Sequence, residues 1–339
     1  MNDTRKKCVA IVGATGVVGH AMVKVLEERG FPVGEYVPIA TEHSAHKKIK
    51  AFGREWTVRD AYKIDYSGID IGLFTAGAPV SRELVPKAIE AGCRVVDNTT
   101  AFRMQRDVPL VVPEINGGLV TPSTPLVSCP NCTAIVLVMT LAPIARAVAI
   151  ERVVVTSFQS VSGAGREALD ELNEQAKADA RGEPLDVKVF PKQIAFNCIP
   201  LIGGIETSGY TKEEEKIIEE TQKILGAPDI KVVSTAVRVP TRVGHAVSVN
   251  VELRAPLDIE EAKEIWRRAE GVRYADEIPT PVDVAGRDEV IVGRLRRDTT
   301  RAHAFSYWAV GDNLRKGAAT NSVQIAELML QSERAVPTA

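Results

Sequence analysis

Two stretches of the sequence combine residue types and spacings that could do chemistry. The first is Ser128-Cys129-Pro130-Asn131-Cys132-Thr133, which follows a short β-branched run and precedes a long apolar one. That context places Cys132 at or near the first turn of a helix. Backbone N–H groups and the macrodipole there stabilise a thiolate, the nucleophilic form of the side chain. Three readings of the Cys-x-x-Cys pair stand at this point: a nucleophile at Cys132, a redox-active dithiol, or two small buried side chains. A four-cysteine zinc site lacks its second pair, because Cys8, Cys93 and Cys198 are scattered. No metal site is expected. The helix-start position favours the nucleophile.

The second stretch is Gly13-Ala14-Thr15-Gly16-Val17-Val18-Gly19, between a predicted strand and a predicted helix. Gly13 permits a tight turn, Gly16 lets the backbone approach a pyrophosphate, and Gly19 allows close helix–strand packing. The helix N-terminus favours the anion. A dinucleotide site is therefore expected. A thiolate working with a nicotinamide defines a reaction class: sulfur adds to an aldehyde, a base takes the hydroxyl proton as hydride leaves, and a thioester remains. A base, oxyanion donors and cations for substrate anions must come from elsewhere in the chain.

These residues need elements to hold them. The first half alternates β-branched runs with helical patterns: strands near 8–13, 35–40, 70–74, 94–97 and 126–128, and helices near 16–29 and 81–91. Such alternation predicts a parallel, doubly wound sheet. Beyond Cys132 comes an apolar helix over about 133–148. Longer strands follow near 152–162, 231–239, 246–253, 290–295 and 305–310, with helices near 164–181, 212–225 and 259–269. Strands joined directly to neighbours point to a mixed sheet with helices on one face. The last pattern, 313–331, is an amphipathic helix with Ile325, Leu328 and Met329 apolar. The expected class is α/β: a Rossmann-like dinucleotide domain over 1–131 and 313–339, and an α+β catalytic and dimerisation domain with a mixed sheet over 132–312.

Composition limits the alternatives. With 42 Lys plus Arg against 44 Asp plus Glu, the 339 residues carry a formal charge of −2. That excludes a globally basic nucleic-acid binder. No apolar run approaches the roughly 18 residues of a membrane span, and the opening MNDTRKKCVAIVGATG is not expected to be a secretory leader. Five cysteines in a chain this long argue against a disulfide scaffold and for a reducing, cytoplasmic setting. One thiol at least is then available for chemistry.

Seven ordered segments carry a family resemblance: GATGVVG (13–19), DNTTAFRM (97–104), VPLVVPEIN (108–116), CPNCT (129–133), SFQSVSGAG (157–165), RVPTRVGH (238–245) and GAATNSVQIAEL (317–328). Together they resemble the aspartate-semialdehyde dehydrogenase family along nearly the whole chain. The resemblance implies an NADP-dependent, homodimeric enzyme that converts L-aspartyl 4-phosphate to L-aspartate 4-semialdehyde and phosphate, on the route to lysine, methionine and threonine. It implies Cys132 as nucleophile, His245 as acid–base and Gln159 as the residue positioning substrate and thioester. Arg238 is similar to the residue that grips the substrate carboxylate, Glu213 to the one that meets the amine, and Arg103 and Lys216 to the phosphate ligands. Its cofactor residues correspond to Gly13, Thr15, Gly16, Val17, Val18, Gly19, Thr41, His43, Ser162, Gly163, Gly165 and Asn321.

Several of these roles agree with the residues themselves. A histidine titrates near neutrality, which suits proton exchange. Arg238 offers a planar fork for a carboxylate. Glu213 and Lys216, three apart on a helix, share a face. The 41–44 segment departs from the family, which usually has a small residue and, two positions later, an arginine. Here it reads Thr41-Glu42-His43-Ser44, with Lys47 and Lys48 following. Glu42 would repel a 2′-phosphate, so use of NAD or of both cofactors stays open beside NADP. The rival reading is another acyl-phosphate reductase, such as N-acetyl-gamma-glutamyl-phosphate reductase. It would lack the amine-binding acid, and PNCT, FQSVSGAG and Glu213 favour the aspartyl substrate.

Overall fold

The structure is a computed structural model that describes residues 6–334. The chain divides into two compact units. One contains the residues up to Pro130 and those from Ala318 onward, and the other runs from Asn131 to Gly317.

The first unit is built on six strands: β1 (Lys7–Val12), β2 (Val33–Ala40), β5 (Arg59–Asp60), β6 (Ile71–Phe74), β7 (Arg94–Asp97) and β8 (Leu126–Ser128), with the hairpin strands β3 (Lys48–Ala51) and β4 (Arg54–Thr57) intervening. The sheet order is β5-β2-β1-β6-β7-β8, and every pairing is parallel. The strand order turns back on either side of β1, and open sheets of this kind bind ligands at that switch point. Val9, Ile11, Ile39, Leu73 and Val95 are buried, as expected for strands covered on both faces. Helices α1 (Val17–Glu28), α2 (Ala78–Glu90), the short α3 (Pro113–Asn116) and the returning α9 (Thr320–Arg334) complete the unit. Here α9 packs against α1, α3 and β7.

Residues 48–57, to which the sequence pattern assigns no element, form the β3–β4 hairpin. It is held by aromatic edges: Tyr36 meets Phe52 and Trp56 at 5.3 and 5.6 Å between ring centroids, and the Arg54 guanidinium lies 3.7 Å over Trp56. Alternation of lysines with single apolar residues gives too weak a signal for so short a pair.

The second unit begins with α4 (Cys132–Ala147) and holds β9 (Ile150–Gln159), α5 (Arg166–Ala180), α6 (Lys212–Leu225), β10 (Lys231–Arg238), β11 (His245–Leu253), α7 (Ile259–Arg268), β12 (Val272–Tyr274), the short α8 (Pro281–Val284), β13 (Val290–Arg297) and β14 (Ala304–Gly311). The sheet is mixed, in the order β10-β9-β11-β14-β13-β12. Its central strands β9 and β11 alternate in burial with period two over most of their length. Val153, Val155, Val249, Val251 and Tyr307 are buried, and α4, α6 and α7 pack on strands of this sheet. Between those positions Thr156, Phe158, Ser248, Asn250 and Trp308 stay half-exposed on the opposite face.

Two boundaries differ from the pattern. The strand expected over 152–162 stops at Gln159, and a tight turn over Val161–Ala164 follows. The helix expected over 313–331 is α-helical only from Thr320. Asp312 takes the amides of Leu314 and Arg315 on its carboxylate, and its carbonyl accepts from Gly317, which winds Arg315–Ala319 into a π turn. Among the described residues no helix is long and apolar enough to cross a membrane.

Candidate active site

Register assembles the chemistry in the second unit. Arg238 and Gln159 are paired residues at the ends of adjacent parallel strands. On the other side of β9, Phe158 pairs with Ala246, so His245 at the start of β11 reaches the same sheet end. Gln159, Arg238 and His245 are all buried, as are the core positions at the same spacing along their strands. Cys132 opens α4, one of the helices packed on this sheet.

Cys132 Sγ lies 3.2 Å from His245 Nε2. Asn131 is the N-cap of α4: its Oδ1 accepts from the amides of Thr133 and Ala134, and its Nδ2 donates to Glu213. This is a helix-start signal of the ordinary kind, an asparagine before an apolar run. The Asn131 amide itself donates to the Glu220 carboxylate, which ties the cap to α6. Glu213 also accepts from Gln159 Nε2 at 3.2 Å and pairs with Lys216 Nζ at 3.2 Å. Arg238 Nη1 donates to the Ser160 carbonyl. Glycine at 163 lets the backbone pass close to the site, since a Cβ would stand 3.2 Å from Arg238 Nη1 and 3.5 Å from the His245 ring. Gly165 has a positive φ and open space around it, and Ser162 is buried beside Asn313.

The electrostatics follow from burial and neighbours. Burial and the Arg238 guanidinium push His245 down to about 3, against the opposing pull of Glu213. The imidazole is therefore neutral at rest. The Ser160 amide donates to its Nδ1 at 3.1 Å, which leaves the ring proton on Nε2, facing the sulfur. A donor aimed at Sγ favours thiolate over thiol. Burial pushes Glu213 up, but the Lys216 ammonium and hydrogen bonds from Asn131, Lys216 and Gln159 outweigh it and hold the carboxyl below its usual range. Arg238 is lowered by burial and supported by Cys132 and Glu213.

The first unit holds the glycine turn. Gly16 caps α1 with no side-chain hydrogen bond, leaving the first-turn amides to an outside acceptor. Gly13 has φ +100°, and a Cβ on Gly19 would fall 2.3 Å from its carbonyl, so turn and helix are in backbone contact. This cradle fits a pyrophosphate. Thr41 caps a single turn over Glu42–Ser44, in which His43 is exposed. Lys63 stands 3.9 Å from Glu42. Arg103 is buried, with Nε donating to the Cys129 carbonyl and Nη2 to that of Asn98. Asn321 donates to the Val111 carbonyl and to Cys129 Sγ. Cys129 is buried in that network, and the remaining cysteines are also free thiols.

The chain is similar to known proteins along nearly its whole length. The family model described as "Semialdehyde dehydrogenase, NAD binding domain" matches residues 8–120, and "Semialdehyde dehydrogenase, dimerisation domain" matches 141–316. Aspartate-semialdehyde dehydrogenase 2 of Vibrio cholerae is 46% identical, with 95% of this chain and 97% of the relative covered. The enzyme of that name from Aquifex aeolicus is also 46% identical, over 95% and 98%. The chain belongs to the aspartate-semialdehyde dehydrogenase family. A solved structure of Vibrio cholerae aspartate semialdehyde dehydrogenase II complexed with ASA superposes with a TM-score of 0.94 at 44% identity, covering 96% of this chain and 99% of that one. As a family member the chain is an oxidoreductase of the phosphorylating aldehyde dehydrogenase type. It has a nicotinamide-dinucleotide domain of Rossmann type and a mixed-sheet second domain.

Sequence reasoning did not single out Asn131, Ser160, Glu220 or Asn313. Asn131 could have been found from its cap position. The other three are ordinary polar residues whose meaning comes from contacts across 78 to 153 positions of chain, as between Arg238 and Ser160 or Ser160 and Asn313.

Proposed function

We propose that this chain catalyses the NADP-dependent reductive dephosphorylation of L-aspartyl 4-phosphate to L-aspartate 4-semialdehyde, in the cytoplasm, as a homodimer. The observation that carries the reading is the Cys132–His245 contact at the start of α4, with Arg238, Gln159 and Glu213 around it. Cys132 is the nucleophile. Its thiolate attacks the acyl carbon, the carbonyl electrons return, and phosphate leaves with the bonding pair, giving a thioester. When bound, the cofactor supplies the hydride that reduces this thioester. His245 then provides the proton for the resulting hemithioacetal oxygen. As the C–S bond breaks, that proton returns to His245, the aldehyde is freed and the thiolate is restored. Gln159 is anchored through Glu213, so its amide is held still against substrate and thioester.

Arg238 binds the α-carboxylate by a charge-assisted fork. Glu213, kept ionised by its partners, takes the substrate ammonium. Lys216 and Arg103 take the phosphate. The cofactor is held by Gly13, Thr15, Gly16, Val17, Val18 and Gly19 at its pyrophosphate, with Thr41 and His43 at the ribose and Ser162, Gly163, Gly165 and Asn321 toward the nicotinamide. Lys63 stands 3.9 Å from Glu42 but pairs more closely with Asp60, at 3.1 Å, so the preference for NADP over NAD rests on the family reading despite that acid. The half-exposed sheet face with Phe158 and Trp308 is the dimer contact, since it is the side of the second unit left free of α4, α6 and α7.

The test is phosphate-dependent reduction of NADP with aspartate semialdehyde, run beside NAD and beside N-acetylglutamate semialdehyde. Turnover with the aspartyl aldehyde and none with the acetylated analogue is expected. The reverse pattern would overturn the substrate. A faster reaction with NAD would overturn the cofactor.

A further inference from the structure

Among the described residues no carboxylate is hydrogen-bonded to the His245 imidazole, where many such sites use one to orient the ring. In its place stands a buried neutral chain. Ser160 Oγ lies 3.1 Å from His245 Nδ1 and 3.0 Å from Asn313 Oδ1. The same Oδ1 accepts from the Gly244 amide at 2.9 Å and lies 3.2 Å from Ser162 Oγ, to which Asn313 Nδ2 donates at 2.9 Å. These contacts fix the Asn313 amide with its oxygen toward Ser160. The serine hydroxyl can therefore spend its proton on Asn313 and keep a lone pair for Nδ1.

Ser160 thus offers the ring two things at the same distance. Its backbone N–H, at 3.1 Å, suits an unprotonated Nδ1. Its hydroxyl oxygen suits Nδ1–H. We infer that Ser160, oriented by Asn313, is the positioning residue of the acid–base step: its amide holds the neutral ring, and its hydroxyl accepts Nδ1–H when the ring is an imidazolium. The imidazolium forms when the ring takes up the one proton that each reduction draws from solvent; it then gives its Nε2 proton to the substrate oxygen, is left neutral with the proton on Nδ1, and recovers the proton when that oxygen becomes the aldehyde carbonyl. Without that acceptor, loss of the Nε2 proton would have to start from the neutral ring and leave an imidazolate. The inference rests on His245 being the acid–base of the proposed reaction.

The charged groups facing the ring come from three elements: Cys132 from α4, Glu213 from α6 and Arg238 from β10. Asp312, next to Asn313, turns its carboxylate to the amides of Gly286, Leu314 and Arg315. The hydroxyl thus acts on the ring alongside these charges without altering them.

Ser160→Ala removes the acceptor and keeps the amide. In the full-length enzyme kcat should fall about 10-fold or more, in line with losing an orienting partner of a catalytic histidine, with KM for aspartate semialdehyde and phosphate nearly unchanged. In the direction of acyl-phosphate reduction the alkaline limb of the kcat–pH profile should move to lower pH, because the imidazolium has lost its acceptor. Ser160→Thr, which keeps the hydroxyl, should restore kcat, and Asn313→Ala should reproduce the defect in weaker form. If Ser160→Ala does not fold, the pH profile of Asn313→Ala decides. Unchanged kcat and pH profile in the folded variant, or no rescue by threonine, would overturn the inference. His245→Asn separates the two readings. If it is active, the acid–base assignment itself fails. If it is inactive while Ser160→Ala is normal, only the role of Ser160 fails.

Discussion

The two units handle negative charge by opposite means. In the first, the glycine turn offers peptide dipoles: Gly16 caps α1 without a side chain, and no ionised group sits in the turn itself. In the second, the charged groups are the side chains Arg238, Lys216 and Glu213, tied with a neutral imidazole into a buried network. A backbone cradle tolerates most changes around it and fails only when volume is added. A side-chain network has no such tolerance, because each member satisfies another and removal leaves a buried polar group unpaired. Binding a generic pyrophosphate needs only the first device. Bond making at one carbon needs the second.

The largest test of that contrast is at the sulfur. Cys132→Ala should abolish turnover, and Cys129→Ser, which changes a thiol turned to Asn321, should leave most of it. Steady-state rates check this, and the reverse outcome would move the nucleophile to Cys129. Next is added volume in the cradle. Gly19→Val would drive side-chain atoms into the Gly13 carbonyl, so cofactor KM should rise by at least about tenfold, with a stability loss of roughly 1–3 kcal/mol in urea unfolding. A cofactor KM like that of the parent would show that the turn is not the pyrophosphate site.

The third test concerns acid. His245 is held near 3 when folded and titrates near 6.5 when unfolded. The unfolded chain therefore binds this proton first as pH falls. Stability from the neutral ring is complete above the unfolded value and drains by up to about 1.4 kcal/mol per pH unit below it. Between about pH 6.5 and 5, His245→Asn should lose less stability than the parent, as measured by urea unfolding. Below that range the depressed Glu213 adds a loss of its own as it protonates. Equal slopes for variant and parent would show that the ring is not buried neutral. The smallest effect is at the cofactor's ribose: Glu42→Ala should raise the NADP to NAD ratio of kcat/KM by a few-fold, the scale of one exposed charge. No change in the ratio would remove Glu42 from the site.

The same contrast explains what was legible in the sequence. The parallel sheet was readable because strands alternate with helices and β1 and β6 are apolar runs, and the mixed sheet because β10 and β11, and β13 and β14, follow one another directly. Cys132 was readable because a cysteine just ahead of an apolar helix is a local pattern. The β3–β4 hairpin was not, since tertiary contacts of Tyr36 with Phe52 and Trp56 hold it. Nor was the placement of Lys63 beside both Asp60 and Glu42. The Ser160–Asn313 chain behind His245 was invisible for a related reason. Serine and asparagine carry no positional signal, and only the end of β14 brings position 313 to position 160.

The close packing at Gly317 has an architectural consequence. The second unit begins at Asn131 and ends at Gly317, and a Cβ on Gly317 would stand only 3.1 Å from Cys132 Cβ. Within the first unit, Cys129 Sγ likewise touches the Ala318 carbonyl. The stretch from 131 to 317 is thus a cassette whose two ends lie together, set into a host whose cut edges lie together too. A short glycine bridge from 130 to 318 would close the host without stretching its sheet. A second bridge joining 317 to 131 would close the cassette into a ring with the nucleophile at its clasp.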